Sequence, residues 1–149
     1  MMRGYCGIGC YSVSNGLNAG GVFRSAHGFR CQFIFTIGAN YKKQKADISK
    51  SWRHLPLWSF KDWEDFKHHR PRDAKIIAVE NTTFDLRRHE ITNYIHSERA
   101  IYIVGSELGG IPYSVLKDCD DIIYIDTAIC LNLASAATAV LLHRHCQRG

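Results

Sequence analysis

Three short segments hold residues whose types and spacing could do chemistry. The first, Asn18-Ala19-Gly20-Gly21-Val22-Phe23-Arg24-Ser25-Ala26, reads N-x-G-x-x-x-R-x-A. Its arginine is a permanent cation, able to hold an anion or steady a developing oxyanion but not to take up a proton. The second runs from Ile103-Val104 into Gly105-Ser106-Glu107-Leu108-Gly109-Gly110-Ile111-Pro112. A glycine at the end of a strand lets a ligand come close to the backbone. The third is Ile122-Ile123-Tyr124-Ile125, followed by Cys130-Leu131-Asn132-Leu133-Ala134. Taken singly, each has a plain structural reading. Glu107 suits the dipole at a helix start, Asn132 could be a satisfied polar group in an apolar helix, and Arg24 could lie on a solvent face.

Metal chemistry is not expected. In the C-terminal cluster His143-Arg144-His145-Cys146, only His143 and Cys146 share a helix face. The six cysteines contain no C-x-x-C pair, and the N-terminus Met-Met-Arg-Gly-Tyr-Cys has no apolar stretch of a secretory signal. Free thiols in a reducing compartment are therefore expected, and with them a cytoplasmic location.

The elements that must position these segments alternate in type. Residues 5–13, 31–37, 57–60, 75–80, 100–104 and 121–125 read as strands, and residues 18–29, 61–69, 112–119 and 131–145 as helices. Val22, Phe23, Ala26 and Phe29 form one apolar face of the first helix. Residues 84–94 are ambiguous, with a short helix as the expectation, and residues 39–55 form a long, polar, basic connection. Strand–helix alternation implies an α/β protein with a mainly parallel sheet and ligands beyond the strand ends, here Gly38, Glu80, Gly105 and Asp126.

With 149 residues, 46% hydrophobic and 22% charged, the chain is sized and balanced as one folded domain. The longest charge-free stretch, 127–142, is broken by Asn132, Ser135 and Thr138, so no membrane span is read. The net charge of +5 mildly favours an anionic partner.

In their order and spacing, the three segments resemble the three motifs of the SpoU (TrmH-like) branch of the SPOUT RNA methyltransferases. The resemblance extends from Tyr5 to about Arg144. It implies methyl transfer from S-adenosylmethionine to a ribose 2′-hydroxyl of tRNA or rRNA, without metal, by a homodimer. It also implies a parallel sheet with helices on both faces and a deep C-terminal trefoil knot. By this resemblance Val79, Gly105, Ile125, Cys130, Leu131 and Leu133 stand at the cofactor positions. Arg24 stands at the reactive oxygen, Asn18 would hold the local geometry or contact the RNA, and Glu107 and Asn132 would fix the loops. Many relatives carry an extra N-terminal RNA-binding domain; this chain starts with the first strand, so a single methyltransferase domain over 1–149 is expected. RNA would then be held by the basic segment with Lys42, Lys43, Lys45 and Arg53, where cations mix with Tyr41 and Trp52.

The chain departs from the family pattern in three places. Cys130 stands where serine is usual, Asp126 where proline is frequent, and Gly28 lies ahead of its common position, leaving Arg30 in a turn. A thiol is a weak donor, and an aspartate could attract a sulfonium or repel RNA phosphate. The alternative is a catalytically inactive knotted protein that binds S-adenosylmethionine, RNA or both.

Overall fold

Runs such as Ile76-Ile77, Ile101–Val104 and Ile122-Ile123 are apolar at every position, the pattern of parallel strands covered on both faces. The computed structural model describes residues 4–13, 16–38, 53–81, 87–106 and 109–148. Its strands are β1 (Tyr5–Tyr11), β2 (Phe33–Ile37), β3 (Leu57–Phe60), β4 (Lys75–Val79), β5 (Arg88–Glu90), β6 (Arg99–Gly105) and β7 (Asp121–Tyr124). The helices are α1 (Gly16–Gly28), α2 (Trp63–His69), α3 (Tyr113–Leu116) and α4 (Leu133–Arg148). All seven strands join one sheet in the order β3-β2-β1-β6-β4-β7-β5, and every neighbouring pair is parallel.

Alternation along each strand divides the core in two. Ile8, Ile77, Tyr102, Val104 and Ile123 face α1 and α4. Phe33, Phe35, Ile76, Ile101, Ile103 and Ile122 face α2 and α3. On that second face the rings of Phe33 and Phe35 lie across Gly7 and Gly9, where a Cβ would meet ring carbons at 2.2 Å. The last strand, β7, lies between β4 and β5, which are consecutive in the chain. That order is consistent with the knot implied by the resemblance.

The structure moves several expected boundaries. The first helix runs Gly16–Gly28 and ends in a turn where Arg30 takes φ 61°, a left-handed conformation costly for a residue with a Cβ. The third helix shrinks to Tyr113–Leu116, with Pro112 outside it as the cap. The long C-terminal helix starts two residues late, at Leu133, and continues to Arg148. The expected short helix over 84–94 is, in its described part, strand β5 and a 3-10 turn at Ile91–Asn93. Pairing of Arg88–Glu90 with Ile122–Tyr124 outweighs the weak local preference there.

The C-terminal half of α4 is fastened to the sheet by buried polar groups. The Arg144 guanidinium donates to the carbonyls of Ser97 at 2.6 Å and Glu98 at 2.7 Å, and to the Tyr102 hydroxyl at 3.3 Å. Tyr102 can then donate to Nδ1 of the fully buried His96, whose Nε2 lies 2.9 Å from Nδ1 of His143. This chain of donors runs in one direction only if His96 is neutral. Burial first, and then the charges of His143, Arg144 and Arg148, lower the His96 pKa from 6.5 to about 4. Between those values the unfolded chain binds a proton that the folded chain refuses, so stability falls as pH drops from 6.5 towards 4. The full effect is roughly 3 kcal/mol. Urea midpoints measured across this range are expected to fall, and His96→Gln is expected to flatten the slope; an equal slope in both proteins would contradict the assignment.

Candidate active site

The C-terminal ends of β4, β6 and β7 surround a cavity of about 330 Å³. A parallel sheet opens crevices of this kind where its strands finish. Val79, Val104, Ile125, Leu131 and Leu133 supply apolar wall, and the backbone of Gly105, Ser106, Gly109 and Gly110 supplies polar edge.

The loop after β6 is held in shape from within and from β4. Ser106 and Gly110 form an antiparallel bridge, with the Gly110 N–H donating to the Ser106 carbonyl at 2.8 Å. The Gly109 N–H donates to Ser106 Oγ at 3.1 Å. Glu80, just beyond β4, accepts the Ile111 N–H at 2.7 Å, and its own N–H donates to the Ile123 carbonyl at 3.0 Å. One residue thereby ties together the ends of β4 and β7 and the loop after β6. Gly110 has φ 61°, and a Cβ there would stand 2.7 Å from Glu80 Oε2. Only glycine takes that conformation in that space without strain.

All six residues at the expected cofactor positions line this one cavity: Val79, Gly105, Ile125, Cys130, Leu131 and Leu133. Cys130 is exposed, and Asp126 is exposed and outside the wall. Asn132 caps α4: its Oδ1 accepts the Ser135 N–H at 2.8 Å, the usual bond of an asparagine before a helix. Asn18 lies in the first turn of α1, and Arg24 lies six residues further on, exposed and not among the residues of the cavity wall. Arg53 is exposed at the end of the long connection. Glu107, Lys42, Lys43 and Lys45 lie outside the described residues.

Glu80, read in sequence only as a strand end, Tyr124, read only within the third segment, and Asn81, Thr127 and Ala136 also line the cavity, outside the six expected cofactor positions. Glu80 meets Ile111 across 31 positions, a partner no local pattern signals. Ala136 follows Leu133 by three residues on α4, a spacing that could have placed both on one face.

The geometry of this loop makes Gly110 and Glu80 energetically coupled. Gly110→Ala is expected to cost about 1–2 kcal/mol, from the left-handed backbone and the contact with the carboxylate. The double variant with Glu80→Ala is expected to lose less than the sum of the two single losses, because removing the carboxylate frees the space. Denaturant titration of the four proteins measures this; strict additivity would show that the two residues do not meet.

Among solved structures, three similar folds set this geometry in context. The AdoMet-bound rRNA methyltransferase from Sinorhizobium meliloti is 18% identical with a TM-score of 0.81, over 97% of this chain and 57% of that one. The SpoU methyltransferase AviRb from Streptomyces viridochromogenes, in complex with AdoMet, is 18% identical with a TM-score of 0.80, over 99% and 60%. A structure concerned with the 2-OH methylation of C/U34 on tRNA is 20% identical with a TM-score of 0.81, over 97% and 96%. The chain thus spans less than two thirds of the first two proteins and nearly all of the third. No curated protein sequence matches it. The family model of the SpoU rRNA methylases matches residues 7–143, nearly the whole chain, and the chain belongs to that family.

Proposed function

We propose that this protein methylates a ribose 2′-hydroxyl in tRNA or rRNA, using S-adenosylmethionine and no metal. The observation that carries this reading is the convergence of all six expected cofactor residues on one cavity at the strand ends. Its apolar side chains and backbone edge suit a flat adenine, which needs apolar walls and a few hydrogen bonds. When bound, S-adenosylmethionine supplies a methyl group already activated by the positive charge on its sulfur.

The protein's own task is then to position and to stabilise charge. Val79, Gly105, Ile125, Cys130, Leu131 and Leu133 would hold the cofactor, in loops kept in place by Glu80, Glu107 and the cap of Asn132. Arg24 would hold the phosphate beside the target ribose and steady the oxyanion that develops during attack. The proton leaves to a phosphate oxygen or to water, because a guanidinium does not accept one. Asn18 would hold the local geometry or contact the RNA. Arg24 stands outside its own chain's cavity wall, which supports a homodimer in which one protomer's arginine serves the partner's site. The knot would keep the cavity loops from separating.

Tritium transfer from labelled S-adenosylmethionine to total RNA tests the activity, and mapping of 2′-O-methyl sites with and without the gene identifies the target. Arg24→Ala is expected to leave cofactor affinity within a few-fold and to lower turnover by roughly 10²–10³. Arg24→Lys is expected to recover part of the loss, since an ammonium lacks the planar fork. Wild-type turnover in Arg24→Ala would remove the arginine from the mechanism.

RNA contact is assigned to Lys42, Lys43, Lys45 and Arg53, so affinity should fall steeply with salt. Replacing the three lysines by alanine is expected to weaken binding to all RNAs alike and to flatten the salt slope by about one unit per lost contact. An unchanged slope would put the RNA on another surface.

A further inference from the structure

Two sulfurs meet at the opposite end of the sheet from the cavity. Cys6, the second residue of β1, and Cys31, two residues before β2, are 6% and 2% exposed, and their Sγ atoms lie 3.5 Å apart. The backbone fixes both. The Gln32 N–H donates to the Cys6 carbonyl at 2.8 Å, the Cys6 N–H donates to Gln32 Oε1 at 2.9 Å, and the Cys31 N–H donates to the Ala26 carbonyl at 2.9 Å. The pair is therefore built into the β1–α1–β2 unit, with the sulfurs already in van der Waals contact.

Arg144 stands beside them. It is 8% exposed, and the described groups that receive its hydrogen bonds are the carbonyls of Tyr5, Ser97 and Glu98 and the Tyr102 hydroxyl. None of these carries a negative charge. A buried cation ordinarily has an anion near it, and the Cys6 sulfur is placed to be one. The hydrogen bond from the Cys31 thiol, with help from the Arg144 guanidinium, draws the Cys6 thiol below its ordinary range in spite of burial. Cys31, sharing its proton with Cys6 and buried, moves up.

The geometry points to Cys6 and Cys31 as an oxidisable dithiol site, which a small peroxide converts to a disulfide joining the start of β1 to the approach of β2. The Cys6 thiolate attacks one peroxide oxygen, and the O–O bond breaks. Hydroxide leaves and takes up the proton that Cys6 had released, giving water and a Cys6 sulfenic acid. The Cys31 sulfur then attacks the Cys6 sulfur. The S–O bond breaks, and the departing hydroxide takes the Cys31 proton as a second water. Two thiols thus lose two electrons and two protons in all, and one peroxide becomes two waters. The new bond closes the unit that carries α1, and it removes the thiolate facing Arg144.

The test is hydrogen peroxide titration of the whole protein under native conditions, followed by digestion without reductant and mass spectrometry. The expected product is a Cys6–Cys31 cross-linked peptide, about 2 Da lighter than its two parts and reversed by dithiothreitol. Cys10 and Cys119, 1% and 3% exposed, serve as internal controls and should stay reduced. Arg144→Gln should slow cross-linking about tenfold by lowering the thiolate fraction. Should that variant fail to fold, Cys31→Ser takes its place: the hydroxyl keeps a donor beside Cys6 but cannot close a disulfide, so Cys6 stops at sulfenic acid, which dimedone traps. Oxidation of Cys10 and Cys119 at the same rate would mean that unfolding exposes all four, and would overturn the proposal. So would consumption of the exposed Cys130 and Cys146 alone, or a Cys31→Ser protein with no dimedone adduct.

Discussion

Helix α4 reaches both ends of the molecule because Gly21 lets it lie directly against α1. A Cβ at Gly21 would stand 2.9 Å from the Ala134 Cβ, closer than carbon atoms tolerate. One turn further along both helices, the Ser25 and Thr138 hydroxyls meet at 2.6 Å. Thr138 gives its own proton to the Ala134 carbonyl, so Ser25 is the donor of that contact. At its start α4 supplies Leu133 and Ala136 to the cavity wall, and towards its end it anchors Arg144 on the Tyr5 carbonyl at the start of β1 and the Glu98 carbonyl just before β6. A helix of 16 residues is about 24 Å long. The seam with α1 therefore sets the cavity wall relative to the floor of the sheet.

The same seam explains how the small residues of α4 are used. Ala134, Ser135, Ala136, Ala137 and Ala139 read in sequence as a surface on which two helices approach closely. They do serve that purpose in part, but within the chain: Ala134 packs at Gly21 and Ala137 is fully buried in the core shared with α1. Apolar side chains left in the open on this helix and just before it are Leu142, Leu131 and Ile129.

Much of the sheet could be read from sequence because its strands are buried on both faces, and continuous apolar runs leave little ambiguity about where they lie. The six cofactor positions were legible through the resemblance; Val79, Gly105 and Ile125 among them sit at or just after a strand end, where the parallel topology places ligands, whereas Cys130, Leu131 and Leu133 lie further on, towards and into α4. Legibility failed where a distant partner decides the outcome. Residues 88–90 form a strand only because β7 arrives beside them from later in the chain. Glu80 matters through a bond to Ile111, and the loop at Gly110 is shaped by that same carboxylate. Asn132 is an intermediate case. The start of α4 was misplaced by two residues although an asparagine before an apolar helix is a known cap signal.

Charge placement around the cavity gives the division of labour its physical logic. Among the described residues of the wall there is no lysine or arginine; Glu80 is the charged side chain there. Such a wall does not repel a ligand that is itself a cation, as a sulfonium is. An arginine in the wall would oppose that charge at short range and in a partly dry site, where Coulomb energies are several times larger than in water. Arg24 on the exposed face of α1 avoids this conflict. Under the proposed mechanism its permanent charge is there available to the RNA, and the phosphate and the developing oxyanion would both gain from it. In that mechanism the two charges need to come close only across the bound RNA, so an arginine carried on the partner's α1, outside the wall that holds the cofactor, would serve the ribose without opposing the sulfonium.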